Sequence, residues 1–418
     1  MTAPATAEAP PTKKSAPAST RITSIDALRG LVMFTMIFVN DFAGVGKIAP
    51  DWMVHFSDRH EHGSGMTFVD LVFPGFLFVV GMSIPFALGS RLAKGEPIWK
   101  TLFHIITRTL ALLLIGVLMV NDSPDQEAMG WLGSVYFRLM LLSAIFAFGS
   151  FSPRNATASA QKVAKMLTTL FRVAGFAALI YLAFAYRTHN GNRIISLAPF
   201  SLQTSWWGIL GLIGWAYFVS SVVFLLFRGY RTALLGCMAL LLCVFVADRK
   251  GAFDDLWLAS HVSFGESLGS LASIAVGGLL LASILVSPDK STHRSRLNFT
   301  LLFIAGCSVA ALLLNGLYGI SKNDATPSWC LWSCAITAAL WLGFYYLCDV
   351  ASVKVISKPF ALAGQNVLLA YLISEMLPSF GGMTNSTLAG AIAGSAAAAF
   401  CLLSFTALLN SRGFRVKL

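Results

Sequence analysis

Charge is what this sequence has least of. Asp, Glu, Lys and Arg make up 12% of its 418 residues, about half the share usual in a soluble chain. Hydrophobic residues make up 56%, and mean hydropathy is +0.72. One or two soluble cores do not hide that much apolar side chain, so lipid is the expected solvent. A metal-binding cysteine pattern is also missing. Cys237, Cys243, Cys307, Cys330, Cys334, Cys348 and Cys401 form no CxxC and no Cys/His cluster at zinc spacing. They read as small buried apolar residues. The first 20 residues, rich in Ala, Pro, Thr and Lys, lack the apolar core of a signal peptide. Residues 1–22 are therefore expected to form a disordered cytoplasmic arm.

The net charge of +11 raises the question of nucleic acid, which needs a basic patch on a folded surface. Here the basic residues sit in short clusters between apolar runs, so no nucleic-acid partner is expected. A helix crossing a bilayer needs roughly 20 apolar residues. Twelve segments approach that length: 26–43, 66–89, 100–120, 131–150, 166–186, 205–227, 231–247, 265–286, 298–317, 329–348, 358–378 and 386–409. The expected fold is all-α and polytopic, with about 12 transmembrane helices (10–12) over residues 23–410. With the N-terminus inside, most of the 30 basic residues fall on the cytoplasmic side, among them Arg91, Lys94, Lys162, Lys165, Arg228, Arg231, Arg294, Arg412 and Arg415. That bias favours a cytoplasmic N-terminus, and an even helix count puts the tail 411–418 there too.

Charged residues inside spans are functional hypotheses by default. On a helix, Arg29 lies about 60° from Asp26 and Asn40 about 40° from it, so all three share a face running roughly 21 Å. Asp26 and Arg29 have a plainer reading, an ion pair anchoring the helix. Asn40 at the far end of the face points to a polar track. Thr67-x-x-Asp70 has the form of a capping box at the start of the second span. Ahead of it, one loop holds His55, His60 and His62 beside Asp51, Asp58 and Glu61. Their spacing matches no standard zinc pattern, and no metal is expected. A histidine at the membrane surface serves as a general base or acyl acceptor. Arg108, Arg138, Glu266 and Asn366 are the other polar residues at depth. Buried arginines suit an anionic ligand such as phosphates. Pairing with Asp26, Asp70 or Glu266 is the alternative.

Several of these residues fall into a known pattern. Ser24-Ile25-Asp26-x-x-Arg29-Gly30 is followed by Phe38-Val39-Asn40. His60 then stands ten residues before Asp70-Leu71-Val72-Phe73-Pro74-x-Phe76-x-Phe78-x-x-Gly81. Arg108, Arg138, Gly265-Glu266-Ser267-Leu268, Lys322-Asn323, Thr326-Pro327-Ser328-Trp329 and Pro359-Phe360-x-x-x-Gly364-x-Asn366 continue it over nearly the whole chain. The sequence resembles heparan-α-glucosaminide N-acetyltransferase and its bacterial relatives, the DUF5009 and NagX-like proteins. The pattern departs where the family has a Trp-Asn-Gly-like segment after the histidine and this chain has Gly63-Ser64-Gly65.

The resemblance implies a transmembrane acyltransferase in a bacterial inner membrane. It would move acetyl from cytoplasmic acetyl-CoA, as co-substrate, to an amino sugar or glycan on the periplasmic side. It implies His60 as catalytic histidine, with His62 as a rival two residues on, and Asn40 as donor to the thioester oxygen. Asp26, Arg29, Asp70, Arg108, Arg138, Glu266 and Asn366 would bind CoA or substrate. The lipid bilayer is the other partner, and a homodimer is allowed. The alternatives are an inner-membrane transporter for an amino sugar such as N-acetylglucosamine, or a non-catalytic membrane subunit.

Overall fold

Long apolar runs become helices because a backbone in lipid has to satisfy its own hydrogen bonds. The computed structural model describes residues 22–60, 63–153, 157–197, 200–286, 292–380 and 387–416. The expected arm lies outside the described residues except for Ile22, as do Glu61 and His62.

The long helices are α1 (Thr23–Phe42), α3 (Val72–Ala93), α4 (Ile98–Val120), α6 (Trp131–Phe148), α7 (Ala158–Ala185), α8 (Gly208–Phe227), α9 (Arg231–Asp248), α10 (Leu271–Val286), α11 (His293–Tyr318), α12 (Pro327–Phe344) and α15 (Leu388–Ser411). Short helices α2 (Phe56–Arg59), α5 (Gln126–Met129), α13 (Lys354–Ala363) and α14 (Val367–Ser374) join them. Two small ribbons complete the fold. One pairs β1 (Gly149–Phe151) with β4 (Phe414–Val416), the other β2 (Ile195–Leu197) with β3 (Phe200–Leu202), both antiparallel.

Among the described residues, 11 helices are long and apolar enough to cross a membrane. The chain is a multi-pass membrane protein. The short segment at 231–247 is one of them, as α9. The segment at 358–378 is two short helices, α13 and α14, broken at Gly364–Asn366. Beside the break the packing is tight. A Cβ on Gly364 would collide with the backbone of Asp26, and one on Gly30 with the carbonyl of Phe360. Two glycines thus let α13 lie directly against α1.

The same device sets the centre of the bundle. Gly81 on α3 abuts the carbonyl of Ala275, and Gly278 on α10 abuts that of Phe78. α10 is buried almost throughout. Exposed apolar side chains, such as Leu170, Val173 and Tyr181 on α7 and Leu302, Leu313 and Leu317 on α11, face where lipid would be. At one end of the bundle the interhelical loops touch each other: the Gly65 N–H donates to Ile320 and the Trp207 indole to His261. At the other lie the start of α1, the turn from α3 to α4, the α13–α14 break and β4. These are called here the loop end and the basic end.

Candidate active site

The Thr67-x-x-Asp70 segment opens α3 through a single 3-10 turn, Val69–Leu71. Asp70 is buried, and its carboxylate reaches back to the Thr67 N–H at 3.0 Å, one arm of the expected capping box. The same oxygen accepts from the Phe56 N–H at 3.1 Å. The other carboxylate oxygen faces Nδ1 of His55 at 2.6 Å. With an anionic acceptor there, Nδ1 carries the proton and Nε2 keeps its lone pair. The ammonium of Lys322 stands 3.2 Å from each nitrogen of the ring. Burial pulls the Lys322 pKa below the ordinary lysine value, against the opposing pull of the Asp70 and Asp58 carboxylates.

His60 ends α2 and is exposed, its ring 4.6 Å from that of Phe56. It lines a cavity of 330 Å³ together with Asp70, Gly63, Ser64, Lys322 and Asn323. The histidine that contacts Asp70 is therefore His55, five residues earlier, while His60 sits on the cavity wall.

Lys322 and Asn323 also line a second cavity of 570 Å³, with Phe73, Trp207, Ile209, Glu266 and Trp329. Glu266 lies in a π-helical turn, Phe264–Ser270, capped by the Ser263 hydroxyl, 3.7 Å from Arg249. Ile209 lines a third cavity as well, of 480 Å³, which runs past Phe76, Val80 and Ser83 to Arg91, His104 and Arg108 at the basic end. The second and third cavities follow α3 from Phe73 to Arg91, roughly 27 Å of helix.

The three arginines of this last cavity differ. Arg29 pairs with Asp26 at 2.9 Å and donates to Ser83 Oγ at 2.6 Å and the Gly364 carbonyl at 3.3 Å. Arg91 pairs with Glu96 at 3.1 Å. Arg108 lies over the ring of Tyr217 at 4.4 Å, and its buried Nε has no hydrogen-bond partner among the described residues. No carboxylate pairs with it among those residues. Arg29, Met33 and Met36 line the cavity; Asn40 stands one turn beyond Met36, so methionines separate it from Arg29 on this face.

Asn366 lines this same cavity from the α13–α14 break, whereas Asn40 and Arg138 fall elsewhere. Asn40 donates to Glu375 at 3.3 Å and lines a separate cleft with Asp41 and Ser379. Arg138 shares a cavity with Asp122, Asp125, Glu127 and Glu375, away from Arg29 and Arg108. Asn366 is buried and spends its amide on β4, donating to the Phe414 carbonyl at 3.3 Å and accepting from the Val416 N–H at 3.1 Å. Among the described residues, no group of three or more His, Cys, Asp or Glu is arranged to hold a metal.

Residues 21–258 match the profile of a domain of unknown function, DUF5009. That is more than half of the 418 residues. The chain belongs to the DUF5009 family. The match takes in Asp26, Arg29, Asn40, His55, His60, Asp70, Arg108 and Arg138, and ends before Glu266, Lys322 and Asn366.

This DUF5009 chain is also similar to heparan-alpha-glucosaminide N-acetyltransferase of Homo sapiens, 33% identical over 138 residues, which is 30% of the chain and 20% of the human protein. The Mus musculus protein of that name is 33% identical over 148 residues, covering 33% of the chain and 21% of its own length. The matched part thus spans about a fifth of those relatives.

The sequence pattern passed over His55, Lys322 and Arg91 as site residues. The ten-residue offset to Asp70 singled out His60, whereas the chain folds back so that Asp70 meets His55 and the Phe56 N–H. Lys322 is 252 positions from Asp70 in the chain, and only its place in the Lys322-Asn323 motif marked it.

Proposed function

We propose that this protein is an acyl-CoA-dependent transmembrane acetyltransferase, taking acetyl from acetyl-CoA at the basic end and passing it to an amino sugar or glycan at the loop end. One observation carries the reading. An arginine without a carboxylate partner among the described residues and the Asp70 and Lys322 side chains that hold His55 lie at opposite ends of cavities that share lining residues. A cation left uncompensated in a half-buried cavity favours an anionic ligand, and the phosphates of a CoA are one. The similarity to the two mammalian acetyltransferases supports the same chemistry.

In this reading Arg108, Arg91 and Arg29 hold the phosphates, and the pantetheine arm follows α3 past Phe76 and Ile209. His55 removes the proton from the acceptor amine or hydroxyl through Nε2, while Asp70 holds the ring and stabilises the imidazolium that forms. The acceptor attacks the thioester carbonyl, the C–S bond breaks, and CoA leaves as the thiol after taking a proton. Lys322 supplies positive charge beside the carbonyl oxygen as it becomes anionic. His60 contacts the acceptor from the cavity wall, and Glu266 bounds the passage between the two halves. Asn40 donates to the thioester oxygen only by leaving Glu375. The basic end faces the cytoplasm, where acetyl-CoA is made, and the membrane is a bacterial inner membrane. The deciding assay is thiol release from acetyl-CoA on addition of glucosamine by the purified protein in liposomes. No release above the protein-free rate, across a panel of amino sugars, would remove the reading.

The broken α13–α14 segment favours a second reading. Discontinuous helices at a buried polar site are a feature of secondary transporters. Uptake of labelled N-acetylglucosamine into liposomes without any acetyl-CoA would support the transporter.

A further inference from the structure

Asn366 sits at the break between α13 and α14, in a position where neither half-helix uses its side chain. Both ends of its amide go to β4: the nitrogen to the carbonyl of Phe414, the oxygen to the N–H of Val416. Val416, Gln365 and Asn366 line the cavity that holds Arg29 and Arg108. The strand therefore contributes to a wall of that cavity through Val416.

What holds the wall is a short ribbon and a set of side-chain bonds. β4 pairs over three residues, Gly149 with Val416, Ser150 with Arg415 and Phe151 with Phe414, and a ribbon of two strands is marginal by itself. The further ties include the Asn366 bonds, the Asn410–Gln365 bond at 2.7 Å, the Arg415–Asn410 bond at 2.5 Å, the Ser150 hydroxyl donating to the Arg415 carbonyl at 3.1 Å, the Ser152 N–H donating to the Gly413 carbonyl at 2.9 Å, and burial of Val416 in the core. The turn into β4 depends on Gly413, whose φ of +93° favours glycine and whose Cβ would strike the Ser152 carbonyl. On the other side of the break, the Gly364 carbonyl accepts from Arg29. One short segment, Gly364–Asn366, thus connects an arginine of the cavity to the strand that closes it.

We propose that Asn366 is a positioning residue for the acyl donor: it latches the C-terminal strand as a wall of the donor cavity, so that donor binding and strand docking reinforce each other. This rests on the reading of the Arg29–Arg108 cavity as the CoA site. A ligand that contacts the docked wall binds the docked form better, and the docked form is then stabilised by the same factor.

The test uses the full chain in detergent, with CoA as probe. Two quantities are measured: CoA affinity by calorimetry, and hydrogen–deuterium exchange of the peptide holding residues 412–418. CoA is expected to slow that exchange several-fold in the wild type. Asn366→Ala is expected to raise the CoA Kd about tenfold, since two buried backbone groups lose their partner. In turnover it raises KM for acetyl-CoA while kcat at saturating donor holds. Gly413→Ala, which touches no cavity residue, is expected to do the same, and it serves if Asn366→Ala fails to fold. CoA binding to the wild type with unchanged exchange at 412–418, or variants with wild-type Kd, overturns the latch and leaves the donor site standing. If the wild type binds no CoA, the donor reading falls, and the latch with it.

Discussion

Nδ1 of His55 and Oδ1 of Asp70 are 2.6 Å apart, fifteen positions apart in the chain. Asp70 is held by two backbone N–H groups as well, so the carboxylate is fixed before the histidine meets it. A base oriented in this way is worth about 10²–10⁴ in rate. His55→Ala should therefore lower kcat for thiol release by that order. His60→Ala should act mainly on KM for the acceptor, because His60 lines the cavity without contacting Asp70. Parallel kinetics of the two variants decide between them. If His60→Ala loses kcat and His55→Ala does not, the assignment is reversed.

Lys322 makes the site sensitive to alkali. Its pKa is lowered by burial, so as pH rises it loses its proton sooner than an exposed lysine does. If its charge supports the developing oxyanion, the rate falls on the alkaline side at a pH below about 10.4, the ordinary lysine value. Lys322→Arg keeps the cation throughout and should move that fall upward or remove it, at some loss of rate. A pH–rate profile of kcat for both proteins is the measurement. An unchanged alkaline limb in the Arg variant would assign that limb to another group.

The two halves of the site were unequally legible in the sequence. The Asp26–Arg29 pair followed from helical geometry alone, because residues three apart stack on any regular helix. The eleven apolar helices followed from length and hydropathy. The break at Gly364–Asn366 did not, since a segment of twenty mostly apolar residues reads as one helix. At the break Asn366 leaves the helical region and spends its amide on β4, a contact that only the fold creates. The pairing of His55 with Asp70 and Lys322 was hidden for the same reason. Loops carry no periodicity, so a loop histidine's partner depends on how the loop closes.

Arg108 offers the cleanest probe of the donor. Its guanidinium has no carboxylate partner among the described residues, so removing it leaves no orphaned acid. Hydrogen bonds to charged groups are worth about 1.5–3 kcal/mol, or roughly 10–100-fold in affinity. Arg108→Ala should raise the Kd for acetyl-CoA by that factor. An acetylated pantetheine without phosphates should be used equally well by the variant and the wild type. If pantetheine turnover falls as far as acetyl-CoA turnover, Arg108 acts on the chemistry or the fold and not on phosphate.

The glycine contacts carry a stability prediction. Gly364→Ala drives a methyl into the Asp26 backbone, and Gly30→Ala into that of Phe360. Neither neighbour is a side chain that can rotate away, so overpacking should cost at least about 1–3 kcal/mol. Gly343→Ala on α12 is the control, since nothing lies within 4 Å of its Cβ and alanine is the better helix former. Thermal melts in detergent should drop for the first two and hold for the third.

Asn40 and Glu375 give the last test, because they stand in contact yet could act separately. The Asn40 amide donates to Glu375 at 3.3 Å. If Asn40 only steadies Glu375, then Asn40→Ala and Glu375→Ala remove one shared interaction. The double variant then loses no more kcat than the worse single one. If Asn40 leaves Glu375 to meet the thioester oxygen, it contributes in the transition state on its own account. Asn40→Ala then lowers kcat, by about 10²–10³ for a lost oxyanion donor, whether or not Glu375 is present. A double-mutant cycle on kcat separates the two, since only residues sharing an interaction depart from additivity. Full additivity with a large Asn40 effect fits the oxyanion role, and strong non-additivity with small single effects assigns Asn40 to holding Glu375.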